Sequence, residues 1–135
     1  MKTIKKISIL ALLITINFYY SQKTWLPVIT SFEPEVKTFM ALNTSNTIWI
    51  KTVSKNIGYY TAKGKKVTEG NKLVLYKVDC SNRKLGILQI AVYDVNGKIL
   101  DSTKFEDYNV EMDYVIPDTV GEIYLDTYCN LPLEE

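Results

Sequence analysis

The sequence KLVLYKVDC, from Lys72 to Cys80, decides the expected fold. Alternating apolar residues with Val and Tyr are typical of a β-strand, in which residues two apart share a face. The alternate residues from Val74 to Cys80 therefore form one face, and Leu73 and Leu75 belong to the other. Both faces of this strand are apolar, so both are expected to be covered in the folded protein.

Five further segments show the same signature and are separated by short runs rich in Asn, Gly, Ser and Lys. The connections are short enough for hairpins, whereas parallel neighbours would need crossover segments of about a dozen residues or more. We therefore expect an α+β protein with a mainly antiparallel sheet. On the fifth strand, strict alternation predicts that Leu88 and Ile90 share one face and that Ile87 lies on the other. The six predicted strands are Thr24–Ile29, Val36–Asn43, Thr47–Lys55, Lys72–Cys80, Leu85–Asp94 and Lys98–Phe105.

A tight turn is predicted between the last two strands at Asn96-Gly97, a pair that supplies the positive φ angles of a tight hairpin turn. Asp94 and Asn96 also match the beginning of a calcium-binding loop. The third acidic position and the closing Glu of such a loop are missing, so we interpret the pattern as a turn.

The end of the chain changes from a strand pattern to a helical one. Thr119 and Glu122 have the T-x-x-E spacing of a capping box, Pro117 suits the entrance of a helix, and Pro132 prevents its continuation. A helix is predicted over Thr119–Tyr128. The residues expected on its buried face are Val120, Ile123, Tyr124 and Tyr128.

Residues 1–21 have the pattern of a secretory signal peptide. Three lysines precede the apolar stretch Ile7–Phe18, which is too short to span a bilayer. Cleavage after Ser21 is expected to leave a single domain, residues 22–135, with no transmembrane segment. We expect a bacterial protein that is exported to the periplasm, the cell surface or the medium.

The composition argues against most catalytic chemistry and against nucleic-acid binding. The chain contains no His, the commonest general base and metal ligand, so neither an enzyme nor a cofactor is expected. Removal of the signal peptide takes away three of the 16 basic residues and none of the 15 acidic ones, which leaves 13 against 15 and a net charge of −2. Such a charge gives no general attraction to a phosphate backbone.

Cys80 and Cys129 are the only cysteines, and in an exported chain they are expected to form a disulfide. The bridge closes a loop of about 50 residues and is expected to contribute about 4 kcal/mol. It ties the predicted helix to the sheet, so the helix should lie on the face that carries Val74 and Cys80.

One helix cannot cover the predicted sheet. A helix of this length extends about 15 Å, whereas six strands span about 28 Å. Either the sheet curls and the segment with Trp25 folds back over it, or the uncovered apolar area is a homodimer or partner interface. The sequence leaves both alternatives open.

The segment Gly58–Asn71 is polar and basic and is predicted to form a long exposed loop. One interpretation is a contact patch for an anionic polymer or an acidic protein. The other, which the composition favours, is a solvated hairpin tip. The candidate partner-binding residues are Tyr59, Tyr60, Lys63, Lys65 and Lys66.

Four acidic residues follow the sixth strand: Glu106, Asp107, Glu111 and Asp113. Paired carboxylates can hydrolyse glycosides without His, but nothing in this stretch fixes two of them across a cleft. We interpret them as solvent-exposed residues.

Several sequence elements together resemble one known family. They are a strand that contains Trp49, a D-C-x-x-R element at Asp79, a Y-D-x-x-G hairpin at Tyr93, and the ending P-D-T-x-G-E at Pro117, followed by Cys129. In this order they resemble the surface-adhesin protein E family of small exported bacterial proteins over nearly the whole mature chain.

The resemblance implies an antiparallel sheet with a C-terminal helix tied to it by the disulfide, a tendency to dimerise, and adhesion to host extracellular-matrix proteins. The expectation is therefore a non-enzymatic, adhesin-like protein of the cell envelope that binds a protein ligand. The alternative is a periplasmic binding module, such as an enzyme inhibitor or immunity protein.

Overall fold

The structure, a computed structural model, describes residues 23–28 and 35–132. The predicted signal peptide, residues 1–21, and Ile29, the last residue of the first predicted strand, lie outside the described residues. The described residues form nine strands, one α-helix and a short 3-10 helix at Asp107–Asn109. The strands and the α-helix are β1 Leu26–Val28, β2 Val36–Thr44, β3 Thr47–Ser54, β4 Tyr59–Tyr60, β5 Lys66–Val67, β6 Gly70–Asp79, β7 Lys84–Asp94, β8 Ile99–Lys104, β9 Asp113–Tyr114 and α1 Val120–Cys129.

The predicted α+β class and antiparallel sheet are confirmed. Strands β1, β2, β3, β6, β7 and β8 lie side by side in this order, all antiparallel, and β9 pairs with the beginning of β7. The first six correspond to the six predicted strands. The long loop predicted over Gly58–Asn71 needs a correction, because β4 and β5 pair as a separate ribbon and Gly70 already belongs to β6.

The helix packs on the side of the sheet that the alternation in β6 predicts, and we call this side the closed face. Cys80 and Cys129 form the expected disulfide, with their Cα atoms 5.8 Å apart. Leu125 is 0% exposed at the centre of the contact, and a fully buried side chain of this kind stabilises the fold by about 1.5–3 kcal/mol. The core consists of Val28, Met40, Ile48, Ile50, Val78, Leu85, Tyr124, Leu125 and Tyr128.

The buried side of α1 differs from the predicted one. Tyr124 and Tyr128 are buried as expected, but Val120 is 50% exposed and Ile123 is 36% exposed. Leu125, which the prediction omitted, takes the central place because it follows Tyr124 and precedes Tyr128 by three residues. The true contact stripe therefore lies about one residue further round the helix than the predicted stripe.

The predicted capping box does not form in the expected way. Thr119 is the N-cap, but its hydroxyl donates a hydrogen bond of 2.7 Å to the carbonyl of Ile116 and makes no cap bond to the helix. The Glu122 carboxylate accepts from the backbone N–H of Asp118, at 2.9 Å, instead of that of Thr119. Asp118 has a left-handed φ of 60°. The chain thus turns sharply one residue before the expected position.

A β-bulge in β7 changes which of its residues share a face. The register shifts between Leu75 and Tyr76, and this leaves Leu88 as an extra residue without a partner on β6. Ile87 and Ile90 therefore both lie on the closed face. The predicted separation of these two isoleucines is wrong, because strict alternation does not hold across an inserted residue.

Candidate functional site

The side of the sheet opposite the closed face is largely apolar, and we call the part of it that no other described segment covers the open face. Directly paired residues of an antiparallel sheet point to the same side, so the pairing register gives three rows across it. The rows are Lys37, Val53, Asn71, Tyr93 and Ile99; then Pro27, Phe39, Lys51, Leu73, Ala91 and Ser102; then Ala41, Trp49, Leu75, Gln89 and Lys104.

Trp25 extends the third row beyond the end of β1. Its ring centre lies 5.6 Å from the Nζ atom of Lys51, which is within cation-π distance and places the indole on the open face. Ala41, in the same row as Trp49, is only 1% exposed. The aliphatic stem of Lys51 can lie along this apolar surface while its ammonium group lies over the indole ring.

One end of this side of the sheet is covered by the chain that follows β8. A Cβ atom added at Gly86 would lie 2.5 Å from Val110 Cγ1 and 2.7 Å from Met112 Sδ. Lys77, which pairs with Gly86 across the strands, donates to Asp107 at 2.9 Å. This segment limits the open face to the three rows and to Trp25.

The opposite end of the open face continues into a depression of about 450 Å³. Its walls include Lys37 and Val53 from the first row, together with Glu69. Glu35 and Lys55 form an exposed ion pair of 3.2 Å at its rim. An exposed ion pair of this kind contributes about 1 kcal/mol at most to stability. The depression is lined by both acidic and basic residues and forms a mixed-charge margin of the apolar surface.

The ribbon formed by β4 and β5 lies beside the closed face. Tyr59 lines a cavity of about 240 Å³ with Lys72, Val92 and Asp101, which share one closed-face row. Partial burial, together with the Asp101 carboxylate that accepts its hydrogen bond, raises the pKa of Tyr59. Tyr60, on the other side of the strand, is 60% exposed. The two predicted partner-binding tyrosines therefore have different environments.

The three predicted partner-binding lysines, Lys63, Lys65 and Lys66, are exposed around the tip of the ribbon. Gly64 has a left-handed φ of 76° there, and its N–H donates to the carbonyl of Thr61 at 2.8 Å. The Thr61 hydroxyl accepts from the N–H of Lys65 at 3.1 Å. These bonds explain the turn without a ligand, as expected for a solvated hairpin tip.

Arg83 joins the sheet to the helix. Its guanidinium donates to Asp126 at 2.9 Å and to Glu122 at 3.1 Å, and its backbone has a left-handed φ of 53°. Asp79 accepts hydrogen bonds from the side-chain amide and the backbone N–H of Asn82, which hold the pKa of the Asp79 carboxyl below its usual range. The D-C-x-x-R element thus forms a turn from which the Arg83 side chain reaches the carboxylates of α1.

Three tyrosines of the core also have shifted pKa values. Burial, and to a lesser degree the neighbouring Tyr124, raises the pKa of Tyr76 to about 12. Burial likewise raises the pKa of Tyr124 and Tyr128. The hydroxyl of Tyr128 donates to the carbonyl of Ser45. Packing beneath α1 accounts for these shifts.

The four acidic residues after β8 are exposed, as predicted, and Asp107 among them pairs with Lys77. A turn lies where the sequence predicts it, and the Asp94 side chain accepts hydrogen bonds of 2.9 Å from the N–H groups of Asn96 and Lys98. Of the predicted pair only Gly97 has a positive φ, of 81°, so the expected positive φ at Asn96 is wrong. Within residues 23–28 and 35–132, no three potential metal ligands come together, and no helix is long and apolar enough to cross a bilayer.

No protein-family model matches the chain, and no curated protein or solved structure is significantly similar to it. Most of the sequence elements on which the adhesin E resemblance depends form the disulfide, the turn at Arg83 and the start of α1. Those elements describe the scaffold. The functional interpretation therefore depends on the open face itself.

Sequence reasoning identified only part of the open face. The sequence places Leu73 and Leu75 on the side away from the helix, and the pairing register confirms this prediction. The sequence analysis makes no such prediction for Phe39, Trp49 and Lys51. Their own alternation within β2 and β3 carried the signal, but only the pairing of these strands places them beside Leu73 and Leu75.

Proposed function

We propose that this chain is an exported, non-enzymatic, adhesin-like protein of the cell envelope that binds another protein through the open face. The observation that carries the proposal is the apolar composition of the three rows. Both α1 and the ribbon contact the other side of the sheet. Extended apolar patches on a soluble domain commonly mark interaction sites.

The shape and chemistry of the open face suit a protein ligand. It is built on paired strands, so the backbone that carries its aromatic side chains is already ordered before binding. Trp and Tyr dominate the binding energy of many protein interfaces, and Trp25, Trp49 and Tyr93 lie on this side. Burial of apolar area there contributes roughly 25 cal/mol per Å² before the costs of association.

Export is supported by the lysine-headed leader in the sequence and is compatible with the disulfide. A bridge of this kind persists in oxidising compartments. Surface exposure separates the adhesin from a periplasmic inhibitor, because only the adhesin must be reachable from outside the cell.

The proposal is tested in cells that express the full chain. We expect external protease to degrade the protein on intact cells. We also expect the purified protein to bind at least one of immobilised fibronectin, laminin and vitronectin saturably. Trp49→Ser should weaken this binding at least about tenfold, which corresponds to 1.4 kcal/mol.

The matched control is the triple ribbon variant Lys63→Glu/Lys65→Glu/Lys66→Glu, which should bind as the wild type does. Circular dichroism verifies that each variant is folded. Protection of the protein on intact cells, or binding that survives Trp49→Ser and is lost in the ribbon variant, would contradict the proposal.

A further inference from the structure

We propose that the partner of the open face is an acidic protein segment that carries aromatic or aliphatic side chains; this deepens the proposed function and rests on it. The open face combines an apolar centre with fixed positive charge. Lys37, Lys51 and Lys104 belong to its three rows, and none of the residues in those rows is acidic.

These lysines are available for a partner. The ion pairs found within residues 23–28 and 35–132 involve Lys55, Lys77 and Arg83, and none involves the three open-face lysines. The ammonium group of Lys51 lies over the Trp25 ring. A carboxylate placed beside it would meet a cation that the protein has already positioned on an apolar surface.

The charge of the open face is opposite to that of the whole mature domain. The domain is expected to carry −2, whereas the three rows carry three lysines and no carboxylate. Such segregation orients an acidic partner during approach and sets specificity more than affinity. The affinity has to come from the apolar centre around Trp49, Leu73 and Leu75.

The same charges disfavour a homodimer built by stacking two open faces. Stacking would bring six lysines of two copies together without a carboxylate in either set of rows. Lysine is depleted in the buried centre of interfaces, and like charges that face each other there oppose association. An acidic ligand neutralises these charges, whereas a second copy doubles them.

The apolar centre favours a protein segment over an anionic polysaccharide. Phe39, Trp49 and Leu75 offer a surface that hydrocarbon and aromatic side chains can cover, and a sulfated sugar chain presents mainly anionic and hydroxyl groups. Lysines alone would attract either polymer. The two ligands are therefore distinguished by their need for apolar side chains.

The test uses the purified, oxidised protein and three immobilised probes: a random Glu–Tyr copolymer, poly-Glu and heparin. We expect a Kd of about 1–100 µM for the copolymer, as for other modest interfaces. Binding to poly-Glu and to heparin should be at least about tenfold weaker, because both lack apolar side chains. Raising the salt from about 50 to 300 mM should weaken copolymer binding several-fold.

The charge-reversal variant Lys37→Glu/Lys51→Glu/Lys104→Glu should weaken copolymer binding at least about tenfold. Its matched control is the ribbon variant Lys63→Glu/Lys65→Glu/Lys66→Glu, which changes the net charge equally and should stay within about twofold of the wild type. Replacement of the same open-face lysines by Gln provides a milder variant if charge reversal prevents folding.

Equal losses in the two triple variants, tighter binding to heparin than to the copolymer, or no copolymer binding at 100 µM would overturn this inference. So would sedimentation as a dimer that Trp49→Ser dissociates. The proposed function fails separately, if Trp49→Ser leaves binding to matrix proteins unchanged. If Trp49→Ser abolishes that binding but charge reversal does not, the open face binds protein without a preference for acidic ligands.

Discussion

Removal of the Cys80–Cys129 bridge provides the sharpest quantitative test of the fold. The bridge joins residues 49 positions apart. Closing a loop of about 50 residues in the unfolded chain lowers its entropy by an amount worth about 4 kcal/mol at 25 °C. A domain of this size has about 5–15 kcal/mol of stability in total. The double variant Cys80→Ser/Cys129→Ser should therefore remain folded in water but lose a large share of its stability.

The helix should stay docked in this variant because other contacts hold it. Leu125 is fully buried, Tyr128 is 4% exposed, and Arg83 contacts two helix carboxylates. The exposed Arg83 contacts contribute little each, so the apolar contacts carry most of the remaining attachment. Urea unfolding, followed by far-ultraviolet circular dichroism and by tryptophan fluorescence, should show one transition with both probes.

Dithiothreitol provides the control, since it should destabilise the wild type by about the same 4 kcal/mol and leave the double variant unchanged. A loss below about 1 kcal/mol would mean that the unfolded chain is already compact around this loop. A separate early transition in the circular dichroism signal would mean that the bridge itself holds the helix on the sheet. Either result would refute the entropic reasoning.

Three further variants test the packing and the electrostatics. Gly86→Ala should destabilise the protein by about 1–3 kcal/mol in urea unfolding, because its methyl group would press on Val110 and on the backbone of Glu111; Gly121→Ala, whose methyl group has ordinary contacts of 3.6 Å or more, should be neutral or slightly stabilising. Between pH 10 and 12 the wild type should lose stability, because the native state holds the Tyr76 proton up to a pKa of about 12 whereas the unfolded chain releases it near 10. Urea unfolding at pH 9 and pH 11 should show that Tyr76→Phe loses less stability between these two pH values than the wild type does. An equal loss of stability in both proteins would contradict the assignment of the effect to Tyr76.

Strand positions and the side that carries the helix could be predicted because they depend on local alternation. Val74, Val78 and Cys80 already lie on one side by sequence spacing, and the bridge fixes the side for α1. The bulge at Leu88 could not be predicted from the sequence. Both sides of β7 are apolar, so a shift of residues from one side to the other leaves the apolar pattern unchanged. Leu125 was missed for a similar reason. Apolar residues lie on more than one side of α1, so their spacing alone does not identify the buried side.

The open face was only partly predictable for a different reason. Leu73 and Leu75 signal an apolar side by themselves, but the charge of that side depends on which residues of other strands lie next to them. Lys51 and Lys104 are far apart in the sequence, and only the pairing of four strands, β3, β6, β7 and β8, brings them onto one surface. Cross-strand neighbours are a tertiary property, so the basic character of the open face appears only with the fold.

The disulfide also determines how the domain would carry mechanical load. A pull applied at the two ends of residues 23–132 enters the chain before Cys80 and leaves it after Cys129, so the bridge transmits the force directly between them. The chain between the two cysteines, with β7, β8, β9 and most of α1, is shielded from tension, and about 160 Å of extended length stays locked. Only β1 to β6 can be drawn out, and β3, which carries Trp49, lies within that loaded part. Under such a load the open face would be divided, because Trp49, Leu73 and Leu75 lie in the part that can be drawn out, whereas Tyr93 and Lys104 lie in the part that the bridge shields.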